Sequence, residues 1–173
     1  MKDKYIVFRI DFSGVSDNIF SELRKLGVEI VEYNIPKIWH LYIYAIITSY
    51  NKNYKKWITT TEKKYNLLHK STWAFKLKSR WCSKILRKNN GSGFKGVIQI
   101  SGTFDATLYA SVSCPLYVLT DYTMKLAEQK QNQQIKPLIP VSNDELSRWY
   151  ALEKSLYLKS KAIIVPSEYV VRS

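Results

Sequence analysis

One stretch near the amino terminus narrows the fold more than any other. Residues 4–12, KYIVFRIDF, carry the β-branched and aromatic side chains of a strand. Residues 13–27, SGVSDNIFSELRKLG, open on small polar residues and then place Ile19, Phe20, Leu23 and Leu26 at helical spacing, with Gly27 positioned as a C-cap. Residues 28–35, VEIVEYNI, alternate apolar and polar positions as a second strand. Strand, helix and strand in about 30 residues make a βαβ unit, and a crossover of that length joins parallel strands.

The alternation continues to the end of the chain. A basic segment, residues 50–88, predicts two helices. The first has Tyr50, Tyr54, Ile58, Thr61, Tyr65 and Leu68 on one face. The second spans 72–88 and is capped by Ser71. GVIQIS (96–101) and PLYVLT (115–120) read as strands. KQNQQIKP (130–137) reads as a loop or a frayed helix end. Residues 142–161 predict a helix capped by Ser142, with Glu145 completing a capping box. AIIV (162–165) reads as a last short strand. Strands alternating with helices predict an α/β fold: one Rossmann-like domain over 1–173, an open, mainly parallel sheet with helices on both faces. After Pro166, Ser167 and Glu168 suit the start of another helix, but only about six residues follow, too few for a helix that stands alone. The chain thus begins an element it has no room to finish.

Several function classes are disfavoured. The longest mainly apolar run, IWHLYIYAII (38–47), is far short of the roughly 20 residues a membrane-spanning helix needs. Arg9 and Asp11 interrupt any secretory signal core. Cys82 and Cys114 give neither a disulfide framework nor metal-ligand spacing, and reduced thiols in the cytoplasm are expected. No metal site is expected. His40 and His69 are isolated, and no nucleophile elbow or zinc-protease motif occurs. GSGFKG (91–96) matches a dinucleotide fingerprint in letters only, because it follows a helix and opens a strand.

In open parallel sheets, ligands bind outside the carboxyl ends of the strands. Small, polar and acidic residues recur after each predicted strand: Ser13, Gly14 and Ser16; Ser101, Gly102, Thr103 and Asp105; Thr120, Asp121 and Thr123; Ser167 and Glu168. Turn chemistry favours the same residue types, so both readings stand. SGVS (13–16), between a strand and a helix, is the best-placed phosphate contact.

The net charge is +13, and residues 50–88 hold most of it: Glu62 is their one acid beside the lysines and arginines at 52, 55, 56, 63, 64, 70, 76, 78, 80, 84, 87 and 88. A localised basic field points to an anionic surface. Trp73, Leu77 and Trp81 recur every fourth residue, flanked by Lys70, Lys76, Lys78, Arg80 and Lys84. Such a ridge suits an anionic membrane surface, and a solvated helix face accounts for it equally well. Nucleic acid ranks behind both.

The last third of the chain resembles a known family. Glu153, Tyr157 and Ala162, followed by IIVPSEYVVRS, are similar to the end of the N-terminal domain in GT-B glycosyltransferases of family 4, once called group 1. There a helix bearing E-x3-Y-x4-A runs into a short strand, a serine and a further helix. CPLYVLTDYTMKLA (114–127) is similar to the strand that ends in an acidic residue near the acceptor cleft. The resemblance is good over 97–173 and general before it. At the first βα turn Gly14 stands alone, where many relatives carry a glycine-rich loop.

The resemblance implies an acceptor-side domain whose donor-binding C-terminal domain is missing. It implies a retaining, metal-independent transfer of sugar from a nucleotide-sugar donor to a glycan or lipid-linked acceptor. The domain itself would need no cofactor and would be inactive alone. Thr103, Asp105, Asp121 and Thr123 would line the acceptor cleft, and Ser13, Gly14 and Ser16 would approach the donor phosphates. A cytoplasmic location, peripheral at the inner membrane surface, follows from the same resemblance. The alternative is a non-enzymatic basic module that binds nucleic acid or another anionic ligand.

Overall fold

The computed structural model describes residues 3–10, 15–121, 123–131 and 142–165. Among these residues, five strands, β1 (Lys4–Arg9), β2 (Glu29–Asn34), β3 (Gly96–Ile100), β4 (Leu116–Leu119) and β5 (Ala162–Ile164), form one sheet in the order β2-β1-β3-β4-β5. Every pairing is parallel. The expected α/β, Rossmann-like sheet is therefore present. Its order reverses at β1: the chain steps outward to β2, then returns past β1 to β3. That reversal opens a crevice at the carboxyl edge.

Among the described residues, six helices connect the strands: α1 (Val15–Lys25), α2 (Trp39–Thr48), α3 (Tyr54–Leu68), α4 (Thr72–Lys88), α5 (Met124–Gln131) and α6 (Asn143–Lys159). Side chains alternate across a strand. Ile6 and Phe8 join Cys82 and Leu86 of α4 and Leu156 of α6 in the main core. Arg9, on the opposite face with the buried Val7, pairs with Asp17 of α1. So α1 covers one face and α4 and α6 the other, as right-handed crossovers require. Phe75 of α4 and Trp149 of α6 meet edge to face, 5.6 Å between centroids, and join the two helices in a second cluster.

The helix starts follow the sequence closely. Asn53, Ser71 and Ser142 each accept a hydrogen bond from the amide three residues on, at 3.1, 3.2 and 3.3 Å. Gly27 closes α1 with φ +83°, a conformation that favours glycine. The capping box at Ser142 is only half made. The Glu145 carboxylate turns to α4 instead, accepting from the Thr72 amide at 2.6 Å and the Thr72 hydroxyl at 2.8 Å.

The basic segment holds its two expected helices, α3 and α4, and differs from its expectation in one way. The apolar run 38–47, to which the sequence assigned no element, folds ahead of them as α2 and pairs with α3. The inner face of α3 is turned by about one residue. Trp57, Thr61, Tyr65 and Leu68 face inward, whereas Tyr50, Tyr54 and Ile58 are exposed. The Trp57 indole donates to the Ile46 carbonyl at 3.0 Å, and the buried hydroxyls of Ser49 and Thr61 meet at 2.9 Å. These bonds fix α3 against α2. In the 130–137 stretch, residues 130 and 131 end α5 and the others lie outside the described residues.

Candidate ligand crevice at the carboxyl edge

The candidate cavity lies at the β4–β5 side of the carboxyl edge, walled by the residues that follow β4, by β5 and by the side of α6, and the turn after β3 packs against that wall. Ser101, just after β3, has φ +97°, an uncommon value for a residue with a side chain. It is held there on three sides. Its amide donates to the Leu119 carbonyl at 2.8 Å, its carbonyl accepts from Gln99 Nε2 at 2.8 Å, and its hydroxyl donates to Thr103 Oγ1 at 2.9 Å. Backbone strain of this kind persists where surrounding bonds over-determine it, and it concentrates at functional sites.

Gly102 follows, and it has no room for a side chain. A Cβ there would lie 2.5 Å from Tyr157 Oη and 2.8 Å from Glu153 Oε1. Those two side chains stand one turn apart on α6 and are bonded to each other, the Tyr157 hydroxyl donating to Glu153 at 2.9 Å. Glu153 is buried and also accepts from the Met124 amide at 3.1 Å, so it ties the start of α5 to α6. Burial raises the Glu153 pKa, while the bonds from Tyr157 and Met124 pull it back. Tyr157 is pushed up by burial first, then by the Glu153 carboxylate. Beside this network, a cavity of about 640 Å³ is lined by Thr120, Thr123, Tyr150, Glu153, Tyr157 and Ile163, among others. Hydroxyls over an apolar floor suit a ligand with hydroxyl groups of its own.

The four acceptor positions read from the sequence do not gather here as a set. Thr123 lines the cavity, and its hydroxyl accepts from the Leu126 amide, so it also caps α5. Thr103 lies beside Lys78 of α4. Asp121 is exposed. Asp105 is fully buried and turned elsewhere: it pairs with Lys159 in the last turn of α6 and accepts from the Thr107 amide and hydroxyl at 2.9 and 3.0 Å. Its carboxylate fastens the loop after β3 and is engaged on both oxygens. Ser13, Gly14, Ser167 and Glu168 lie outside the described residues, as does the side chain of Ser16.

On α4, the ridge Trp73–Leu77–Trp81 does not stand clear of the protein. Trp73 is 43% exposed and packs edge-on against Tyr44, while Leu77 and Trp81 are half-buried and Trp81 meets Phe8. Lys76, Arg80 and Lys84 are exposed. Arg80 and Lys84, with Arg87, Lys88 and Tyr109, border an open basic hollow. The larger exposed apolar surface is on the α2–α3 hairpin. Trp39, Ile43 and Ile47 form its stripe, 62%, 52% and 68% exposed, and Tyr50 and Tyr54 extend it to the tip.

Lys78, expected among the solvent-facing cations that flank the α4 ridge, is instead buried, with its ammonium 3.4 Å from both the carbonyl and hydroxyl oxygens of Thr103 and 3.5 Å from the His69 carbonyl. Burial lowers its pKa to about 8. His69 is lowered to about 4, by burial first and then by the charges of Lys78 and Lys37, and its ring nitrogen meets the Tyr65 hydroxyl at 2.7 Å. One signal for Lys78 was in the sequence. It sits between Phe75 and Cys82 at spacings of three and four, inside the apolar stripe of its helix.

Among the described residues, no three His, Cys, Asp or Glu side chains come together to hold a metal ion. No helix among them is long and apolar enough to cross a membrane. No protein-family model matches the chain, and neither a curated protein nor a solved structure matches it.

Proposed function

We propose that this chain is the acceptor-side domain of a GT-B glycosyltransferase of family 4, which transfers sugar from a nucleotide-sugar donor to a glycan or lipid-linked acceptor. One observation carries the reading. Glu153 and Tyr157, the pair on which the family resemblance rests, close over Gly102 and border the cavity at the carboxyl edge. In this reading Glu153 is a positioning residue that shapes the cavity wall, and the hydroxyls of Thr120 and Thr123 meet the acceptor sugar. The donor and the retaining, metal-independent chemistry belong to a second domain.

The same reading gives the protein a membrane-proximal acceptor. Support for this comes from the α2–α3 hairpin more than from α4. Its apolar stripe can enter the headgroup region, and Lys52, Lys55 and Lys56 at its tip are exposed and suit anionic lipid.

Ligand-observed NMR against free oligosaccharides and polyprenyl-linked saccharides tests the proposal. A saccharide should bind, and Thr123→Val should weaken it severalfold. If no saccharide binds while single-stranded nucleic acid binds with steep salt dependence, the chain is instead a basic binding module. The hollow bordered by Arg80, Lys84, Arg87 and Lys88 favours that second reading.

A further inference from the structure

The second half of α4 borders an open hollow of about 820 Å³, which shares no lining residue with the cavity beside Glu153. Arg80, Lys84, Arg87, Lys88 and Tyr109 line it, and no acid is among them. All four cations are exposed, and they recur at helical spacing along one side of α4. From Arg80 to Lys88 the helix advances about 12 Å, so a cation is presented at every turn. Among the described residues none of the four pairs with a carboxylate, whereas Lys4 pairs with Glu29, Lys25 with Glu22 and Arg24 with Glu32. Nothing in the described chain answers the charge of the hollow.

The opposite wall is fastened in place. Two fully buried serines of α4 hold the loop that follows β3. Ser79 Oγ accepts from the Asp105 amide at 2.9 Å. Ser83 Oγ donates to the Ala106 carbonyl at 2.9 Å and accepts from the Tyr109 amide at 3.1 Å. The Ser83 carbonyl also accepts from Arg87 Nε at 3.4 Å. These bonds set Tyr109 beside the cations, with 37% of its surface exposed and the Arg80 guanidinium 5.4 Å from its ring centroid.

We propose that this hollow binds single-stranded nucleic acid, its phosphates meeting Arg80, Lys84, Arg87 and Lys88 and a base meeting Tyr109. The inference rests on the basic-module reading above and gives it a location. It does not depend on whether the Glu153 cavity takes a saccharide. Cations one turn apart, at a step of about 6 Å, match the phosphate step of an extended strand. Arginine forks take phosphate oxygens two at a time. An exposed ring beside that line gives an unpaired base a face to stack on, which a base held in a duplex cannot use. A membrane surface is flat and favours apolar side chains that insert into it. The hollow is concave, and Tyr109 is its one aromatic or apolar side chain.

Fluorescence anisotropy with a labelled oligothymidylate tests the proposal. On logarithmic axes, affinity should fall with salt at a slope of about −3, the value for four phosphate contacts on a single strand. Arg80→Gln with Lys84→Gln, or Arg87→Gln with Lys88→Gln, should weaken binding about tenfold or more at low salt and flatten the slope by about 1.4. Lys55→Gln with Lys56→Gln, an equal loss of charge at the tip of the α2–α3 hairpin, should weaken it by less than about twofold. Tyr109→Ala should weaken binding about fivefold without changing the slope, and Tyr109→Phe should bind as the wild type does. All these side chains are exposed, and the fold tolerates the changes. If the hairpin pair costs as much as either hollow pair, the location is overturned and the basic-module reading survives. If the oligothymidylate does not bind, both fall. Full binding by Tyr109→Ala overturns the nucleic-acid assignment. So does tighter binding of a duplex, of polyglutamate or of phosphatidylglycerol vesicles that the hollow variants abolish.

Discussion

Glu153 and Lys78 are both buried charged side chains that reach the residues just after β3, and they are held in opposite ways. Glu153, on α6, accepts from a backbone amide and from a tyrosine hydroxyl, and it lies against a glycine that leaves it room. Lys78, on α4, has only distant neutral oxygens around it among the described residues, and burial disfavours its charged form. The difference separates scaffold from liability. A buried acid with its bonds made fixes the geometry of a wall, whereas a buried base with poor bonds lowers stability.

The largest expected effect is on the acid. Glu153→Ala removes the acceptor of the Met124 amide and of the Tyr157 hydroxyl and leaves a void in a packed region. It should cost about 3 kcal/mol in urea unfolding. Glu153→Gln keeps the shape and an acceptor and should cost less than half as much. Equal stability of wild type and Glu153→Ala would break the contrast at its stronger end.

Lys78→Met should act with the opposite sign. Below pH 8 the lysine is protonated whether the chain is folded or not, so the full penalty of burying the charge is present. Between pH 8 and the unfolded value of 10.5, the folded state loses its proton first and the wild type gains stability relative to the variant. Lys78→Met should therefore be more stable by about 1–3 kcal/mol at pH 7, and that advantage should shrink towards pH 10. An advantage that stays constant with pH would mean that packing, not charge, sets the difference.

The two residues were unequally legible from the sequence. Glu153 stood in a quotable pattern with Tyr157, yet its contact with Gly102 depends on the approach of α6 to the end of β3, a tertiary distance that spacing alone does not carry. Lys78 broke the apolar stripe of α4, but in a segment with many lysines one more reads as solvated surface. The parallel sheet was readable because β1, α1 and β2 announce it locally through period and caps. The run 38–47 was not readable as α2, since a segment apolar on all sides shows neither a helical nor a strand period. Asp105 looked like a crevice residue by its place after β3. Its loop instead turns back across α4, where Ser79 Oγ accepts from its amide at 2.9 Å and Lys159 takes its carboxylate.

Gly102→Ala should separate the two regions within one variant. The new methyl must push aside Tyr157 and Glu153, whose bonds hold them in place, and this should cost about 1–2 kcal/mol. Chemical shifts around Met124 and Tyr157 should move, whereas those of His69 and Lys78 should not. Spread of the perturbation to His69 would show that the acid and base regions share one packing unit.

The smallest effect tests how the two regions are joined. The sequence assigns Glu145 to its own helix, as the second half of a capping box with Ser142. In the structure it caps α4 through Thr72, and so ties the helix that carries Glu153 to the one that carries Lys78. Glu145→Ala should cost about 1 kcal/mol, and a double-mutant cycle decides which partner matters. Coupling between Glu145→Ala and Thr72→Ala, with additive behaviour between Glu145→Ala and Ser142→Ala, is the outcome the geometry requires. The reverse pattern would return Glu145 to the capping box. The α4–α6 contact would then rest on Phe75 and Trp149, and the two buried charges would be linked through apolar packing instead of through a hydrogen bond.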